Sequence, residues 1–295
     1  MSGPGPSRGL AIVTGATGGL GLETAIGLAR AGHEVLLTGR NDANGSAALA
    51  RVKAAVSRAE ARYAHLDVSS LASVEAFTAT ITTPVAILVN NAGVMAMPTR
   101  ELTVDGFERQ LGTNYLGHFA LTARLFPHLQ GARIVNVSSL AHRRGAIHFD
   151  DLQSAKSYDP WAAYSQSKLA MLMFALELQR RAVAASWNFT AYAAHPGWSA
   201  TSIVLNGPGQ KKAGLKARIM QFGFSTLGQS AADGARPILF AALDATATPG
   251  AYYGPCCLVE TRGRPTLSKI MPQAKIPKDN AYLWQMSEEL TRISF

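Results

Sequence analysis

Cysteine is nearly absent from this 295-residue chain: there are two, Cys256 and Cys257, and they are neighbours. Adjacent residues do not easily close an unstrained disulfide, and neither thiol has a partner at metal-ligand spacing. No metal site is expected, and the pair reads as packing or incidental thiols in a reducing compartment. Long apolar runs are lacking too. No uninterrupted stretch approaches the ~18 residues that span a bilayer, and residues 1–8 lack the apolar core of a secretory signal. The expectation is a soluble, cytoplasmic protein without a transmembrane segment. Charged residues make up only 16% of the chain against 47% hydrophobic, the reverse of a disordered composition. That charge is one-sided, with 28 Lys and Arg against 19 Asp and Glu for a net +9. A basic balance suits anionic ligands such as a phosphorylated cofactor, nucleic acid or anionic lipid. No Lys/Arg block occurs, however, so the charge reads as a solvated surface and nucleic-acid binding is not expected.

Glycine, by contrast, is plentiful at 27, and it punctuates an alternation of short apolar runs with longer helical patterns. Strand candidates fall at 9–13, 34–38, 61–66, 86–89, 133–137, 190–194 and 254–259. Helical patterns fill 20–31, 44–56, 71–81, 104–129, 161–185 and 231–243. Strands apolar on both faces, joined by helices, predict an α/β fold: one doubly wound parallel sheet flanked by helices, a single domain over 1–295. Two stretches break the alternation, 140–163 and 199–228. Both follow the carboxyl ends of strands, where open α/β sheets bind ligands, so both are candidate walls of a substrate pocket.

The turn after the first strand reads Thr14-Gly15-Ala16-Thr17-Gly18-Gly19-Leu20-Gly21. Glycines there let backbone approach a pyrophosphate at the helix N-terminus, as in Rossmann-type folds. Spacing alone leaves two readings, Gly15/Gly19/Gly21 and Gly15/Gly18/Gly21. The second strand ends at Thr38-Gly39-Arg40-Asn41. An acid at this position would bind a ribose 2′-hydroxyl; Arg40 instead offers a forked cation to a 2′-phosphate, which favours NADP(H) over NAD(H). Asp42, two residues on, weakens that reading slightly. Then come Asn90-Asn91-Ala92-Gly93, a helical Asn114, Ser138-Ser139 at a strand end, and Tyr164 with Lys168. Tyr164 and Lys168 are four apart, hence on one helix face. An ammonium near a phenol lowers its pKa from ~10 and suits it to acid/base work.

In this order the residues resemble the short-chain dehydrogenase/reductase family over about 9–260. The series Thr-Gly-x-x-x-Gly-x-Gly, Asp67-Val68, Asn-Asn-Ala-Gly, helical Asn, Ser, Tyr-x-x-x-Lys and His195-Pro196-Gly197 carries the resemblance. The strings 114–119, 133–139 and 283–291 look most like the retinol dehydrogenase-like branch. The resemblance implies Gly15, Gly19 and Gly21, with Thr17 and Leu20, as the phosphate turn. It implies Tyr164 as general acid/base, Lys168 on the nicotinamide ribose, Ser139 on the reacting oxygen and Asn114 holding a relay water. It further implies Asp67 and Val68 beside the adenine, Asn91, Ala92 and Gly93 along the cofactor, and Pro196, Gly197 and Thr201 near the carboxamide.

The expected reaction interconverts a hydrophobic ketone or aldehyde and its alcohol, with Met95, Met97, Trp161, Trp198, Met220, Phe222 and Phe224 favouring an apolar substrate. His142, His148 and His195 share no ligand spacing and read as structural. Lys211, Lys212, Lys216 and Arg218 beside Met220 and Phe222 suit a mobile lid, or else a helix touching a membrane surface. Two other readings are a nucleotide-sugar epimerase-like enzyme, which shares Tyr-x-x-x-Lys, and a catalytically silent NADP-binding regulator. Finally, Phe149 and Trp161 lie in a long segment before the Tyr164 helix; folded across that helix they would block a shared dimer face, which favours a monomer over a homodimer.

Overall fold

The computed structural model describes residues 8–198 and 229–295. Eight strands form one sheet: β1 (Leu10–Val13), β2 (Glu34–Gly39), β3 (Ala61–His65), β4 (Val85–Asn90), β5 (Ala132–Val137), β6 (Phe189–Ala194), β7 (Tyr252–Cys257) and β8 (Arg262–Leu267). Their order is β3-β2-β1-β4-β5-β6-β7-β8, parallel throughout except for β8. The strand order turns about between β1 and β4, the switch point at which such sheets bind ligands.

Alternate residues of β1 to β7 feed two cores. Leu10 and Ile12 pack with α3 (Leu71–Thr78), α5 (Gly117–Leu125), α6 (Pro160–Ala184) and α8 (Pro277–Thr291). Ala11 and Val13 face α1 (Gly19–Arg30), α2 (Asp42–Ala55) and α7 (Ala231–Leu243). Helix α6 begins at Pro160, with Asp159 capping the Trp161 and Ala162 N–H groups. From Ala163 to Ala175 every residue of α6 is buried, because the sheet lies on one side and α8 on the other.

The structure departs from the sequence pattern in four places. The helix expected over 104–129 is broken: Gly106 turns at φ +86°, α4 (Arg109–Leu111) is a single turn, Gly112–Leu116 is a π-helical turn, and α5 follows. Pro127, in a 3₁₀ turn, stops the run. The last expected strand, 254–259, is β7, two residues earlier at each end. Two elements have no counterpart in the expected set: β8, a polar edge strand containing Pro265, and α8, whose buried side mixes Leu283 and Trp284 with Asn280, Ser287 and Thr291.

Candidate active site

The glycine turn opens on a cleft of about 730 Å³ at the switch point. Gly15 and Gly19 adopt φ +64° and +52°, left-handed conformations that other residues reach only with strain. Gly21 is helical, but a Cβ there would press on the Gly15 carbonyl and lie 2.6 Å from Asn91 Nδ2. Gly18, the α1 cap, has no side-chain capping bond and open space where its Cβ would be. The first-turn N–H groups of α1 thus front a cradle that a side chain would fill, and a dinucleotide pyrophosphate fits this site. Gly15 and Gly19 are thus the left-handed glycines of the turn, and Gly21 is the one packed against it.

At the adenosine end, Arg40 lines the cleft from the end of β2, and Arg51 lines it from α2. Arg51 was not foreseen; its signal, a basic residue one helical face beyond Asn44, is too common to read. Asp42 is drawn aside, its carboxylate accepting from Tyr63 at 3.1 Å and meeting His65 Nδ1 at 3.0 Å. Those two hydrogen bonds hold its pKa below the usual range. Asp67 and Val68 line the cleft too, and Ser69 pins Asp67 by donating from both backbone N–H and hydroxyl. Ala92 and Gly93 border the cleft beside Asn91.

At the end of β5, Ser139 caps the turn that follows and sits close enough to the phenol of Tyr164, from α6, to lower its pKa. The neighbouring Ser138 hydroxyl instead donates to the Lys168 carbonyl at 2.7 Å, which leaves Ser139 as the serine facing Tyr164. Lys168 Nζ donates to the Val137 carbonyl at 3.0 Å and lies 6.0 Å from the Tyr164 ring centre. The electrostatics differ from the simple expectation. Burial pushes the Tyr164 pKa up, against the lowering by Ser139, and burial pushes Lys168 down to about 8. Desolvation of both groups outweighs the help an ammonium gives a phenolate at this distance. Asn114 sits in the π turn, donating to the Val94 carbonyl and Ser167 hydroxyl, both at 2.9 Å, and accepting from Val94 N–H at 2.7 Å. A π turn at such a position recurs at functional sites. Gly93 closes the group: a Cβ there would lie 3.0 Å from Asn114 Oδ1 and 3.5 Å from Lys168 Nζ.

One supporting group went unassigned from sequence. His118, fully buried, bonds the Asn114 carbonyl through Nδ1 at 3.1 Å and meets the Thr14 hydroxyl through Nε2 at 2.9 Å. A carbonyl only accepts, so Nδ1 carries the proton. Burial holds the ring neutral, with its pKa lowered to about 4, so Nε2 accepts from Thr14. Thr14 in turn receives the N–H groups of Asn91 and Ala92. His118 therefore ties the Asn114 turn to the loop that edges the cleft. Behind Ser139, His142 Nδ1 donates to its carbonyl at 2.7 Å. His195 Nδ1 accepts from Gly197 N–H at 3.1 Å, and Nε2 faces Glu260 at 3.1 Å and Ser268 at 2.8 Å. Gly197 takes φ +67° with Pro255 2.7 Å from where its Cβ would be; Pro196 precedes it, its carbonyl accepting from Gln229. Trp161 stacks edge-on to Tyr164 at 6.1 Å, 43% exposed. Thr201, Met220, Phe222, Phe224 and the basic cluster 211–218 lie outside the described residues.

The short chain dehydrogenase family model matches residues 9–207. Polyprenol dehydrogenase of Mus musculus is 44% identical over 204 residues, 66% of this chain and 60% of that protein. The chain thus matches about three fifths of that relative's length. Retinol dehydrogenase 12 of Homo sapiens is 36% identical over 290 residues, covering 96% of this chain and 86% of the other. Among solved structures, an uncharacterised protein of Mycobacterium paratuberculosis superposes with TM-score 0.81 at 38% identity, over 99% of this chain and 96% of its own. The motif order, the sheet order and these relatives agree: the chain belongs to the short-chain dehydrogenase family, in its retinol dehydrogenase-like branch.

Proposed function

We propose that this protein is a cytoplasmic, NADP(H)-preferring oxidoreductase that interconverts a hydrophobic ketone or aldehyde and its alcohol. The observation that carries the reading is the Ser139–Tyr164 pair at the β5 end, beside a glycine cradle that fits a dinucleotide. When bound, the nicotinamide cofactor supplies the hydride.

The chain's own residues supply binding, alignment and the proton. With Ser139 beside Tyr164, a substrate oxygen would accept from both hydroxyls. Tyr164, its pKa raised by burial, holds its proton at neutral pH and is therefore set as the acid in the reducing direction. Lys168, anchored on Val137, holds a ribose and adds positive charge beside the phenol. Asn114 positions the relay, Arg40 and Arg51 take a 2′-phosphate, and Asp67, Val68 and Asn91 to Gly93 border the nucleotide. Trp161, Met95 and Met97 favour an apolar substrate. The named activities of the polyprenol and retinol dehydrogenase relatives support that choice of substrate class.

An NADPH-consumption screen over retinoid, polyprenoid and simpler apolar carbonyls tests the reading, paired with Tyr164→Phe. We expect turnover on at least one carbonyl, falling on the order of 10²-fold or more in the variant with cofactor affinity nearly intact. Cofactor binding without turnover on any carbonyl would favour the silent regulator, and near-native turnover in Tyr164→Phe would remove the acid from its role.

A further inference from the structure

Cys256 and Cys257 end β7, both exposed. Successive residues of a regular strand point to opposite faces. Here the ladder slips: Pro255 pairs with Pro265 but Cys257 pairs with Arg262, so Gly263 and Arg264 together oppose Cys256. This is a bulge, and Gly263 makes it with φ +116°. A Cβ on Gly263 would lie 2.8 Å from the Cys256 sulfur and 3.0 Å from the Cys257 sulfur. Both thiols therefore crowd one side-chain-free spot.

Two sulfurs held side by side suit a particular ligand class. A disulfide is disfavoured, because Cα atoms ~3.8 Å apart across one peptide fall short of the roughly 4.4 Å minimum for a relaxed bridge. Tetrahedral zinc needs four donors, and among the described residues no group of three or more His, Cys, Asp or Glu is poised for a metal ion. A trivalent arsenic centre bearing one carbon substituent is completed by two sulfurs alone. The geometry points to Cys256 and Cys257, seated over Gly263, as a dithiol chelate site for trivalent organoarsenicals. In the step, two As–S bonds form as the arsenic–oxygen bonds break, and both thiol protons leave with the oxygen as water. No atom changes oxidation state. Once the first sulfur is bound, the second bond closes within the molecule, so the chelate outlasts a single-thiol adduct.

Phenylarsine oxide is the probe, with intact mass as the readout. These are the chain's only cysteines, so any adduct reports on this pair. We expect one arsenic per chain, retained through a millimolar glutathione wash and released by 2,3-dimercaptopropanol. Retention should be about 10²-fold longer than in Cys256→Ser or Cys257→Ser, and shorter in Gly263→Ala, whose methyl occupies the seat. Loss of arsenic from the native chain as fast as from the single-cysteine variants would overturn the chelate. Undiminished retention in a folded Gly263→Ala would overturn the seat, adjacency alone then sufficing.

Discussion

Arg40 stands exposed on the cleft rim at the end of β2, and the acid that would compete with it is held aside by Tyr63 and His65. Arg40→Ala should weaken NADPH by about 10- to 100-fold, the worth of a charge-assisted contact, and leave NADH little changed. Equal losses in steady-state kinetics would sink the assignment. Lys168 gives a pH test. Burial sets its pKa at about 8, so its ammonium is lost as pH rises through 8, and kcat/KM should fall on that alkaline limb. A flat profile from pH 7 to 9 would speak against a charged Lys168. His118 contributes to the acid side of stability. Its folded pKa of about 4 lies below the ordinary imidazole value of 6.5; between those values the unfolded chain binds a proton the folded chain refuses. Stability therefore falls as pH drops from 6.5 through 4, by about 3 kcal/mol from this group alone. His118→Asn, which keeps a donor for the Asn114 carbonyl and cannot protonate, should flatten that slope in urea melts.

The elements that build the cradle are sensitive to single atoms. Gly21→Ala places a methyl against the Gly15 carbonyl and Asn91, an overpacking that costs on the order of 1–3 kcal/mol. A larger loss in dinucleotide affinity, measured by calorimetry, is expected alongside a modest fall in Tm. Elements of this kind were legible in sequence because a local rule produces them: apolar runs for β1 to β6, Gly15 and Gly19 for the turn, and the four-residue spacing of Tyr164 and Lys168. What stayed hidden depends on partners far along the chain. The π turn at 112–116 runs into a close approach that pattern does not show, since a Cβ on Gly117 would collide with the Val68 carbonyl. The strand β8 is held by its ladder to β7 and not by its own polar residues. Tyr164 reads as acidified from spacing alone, whereas burial, which spacing does not report, dominates it.

Across the molecule, the expected covering of the α5/α6 face is present but comes from another segment. Trp161 is exposed, whereas α8 and the residues after it lie over both helices. Trp284 and Phe295 each pack on Phe119 and Phe174. Tyr115 and Ser287 share a 2.7 Å hydrogen bond, and the Arg181 guanidinium lies 4.3 Å from the Trp284 ring centre. Phe149 joins from the long segment, 5.0 Å from Tyr282. With that face occupied by the chain itself, a monomer is the expected state. Light scattering should return a mass near 31.2 kDa at every concentration; a constant mass of twice that would refute it. Trp284→Ala should cost about 3–5 kcal/mol and bare apolar surface on α5 and α6, detectable as concentration-dependent association.

The position of Trp284 and Phe295 in the chain also sets an order of events during synthesis. The sheet strands β1 to β6 and helices α5 and α6 leave the ribosome well before α8 does, so they can pair while the Phe119–Phe174 surface has nothing to cover it. The nascent chain then carries an apolar flank open to chaperones and to its neighbours on the same message. Burial of that flank waits on translation of α8 and the residues after it, and a stall after β6 but before Trp284 leaves a paired sheet with an adhesive flank.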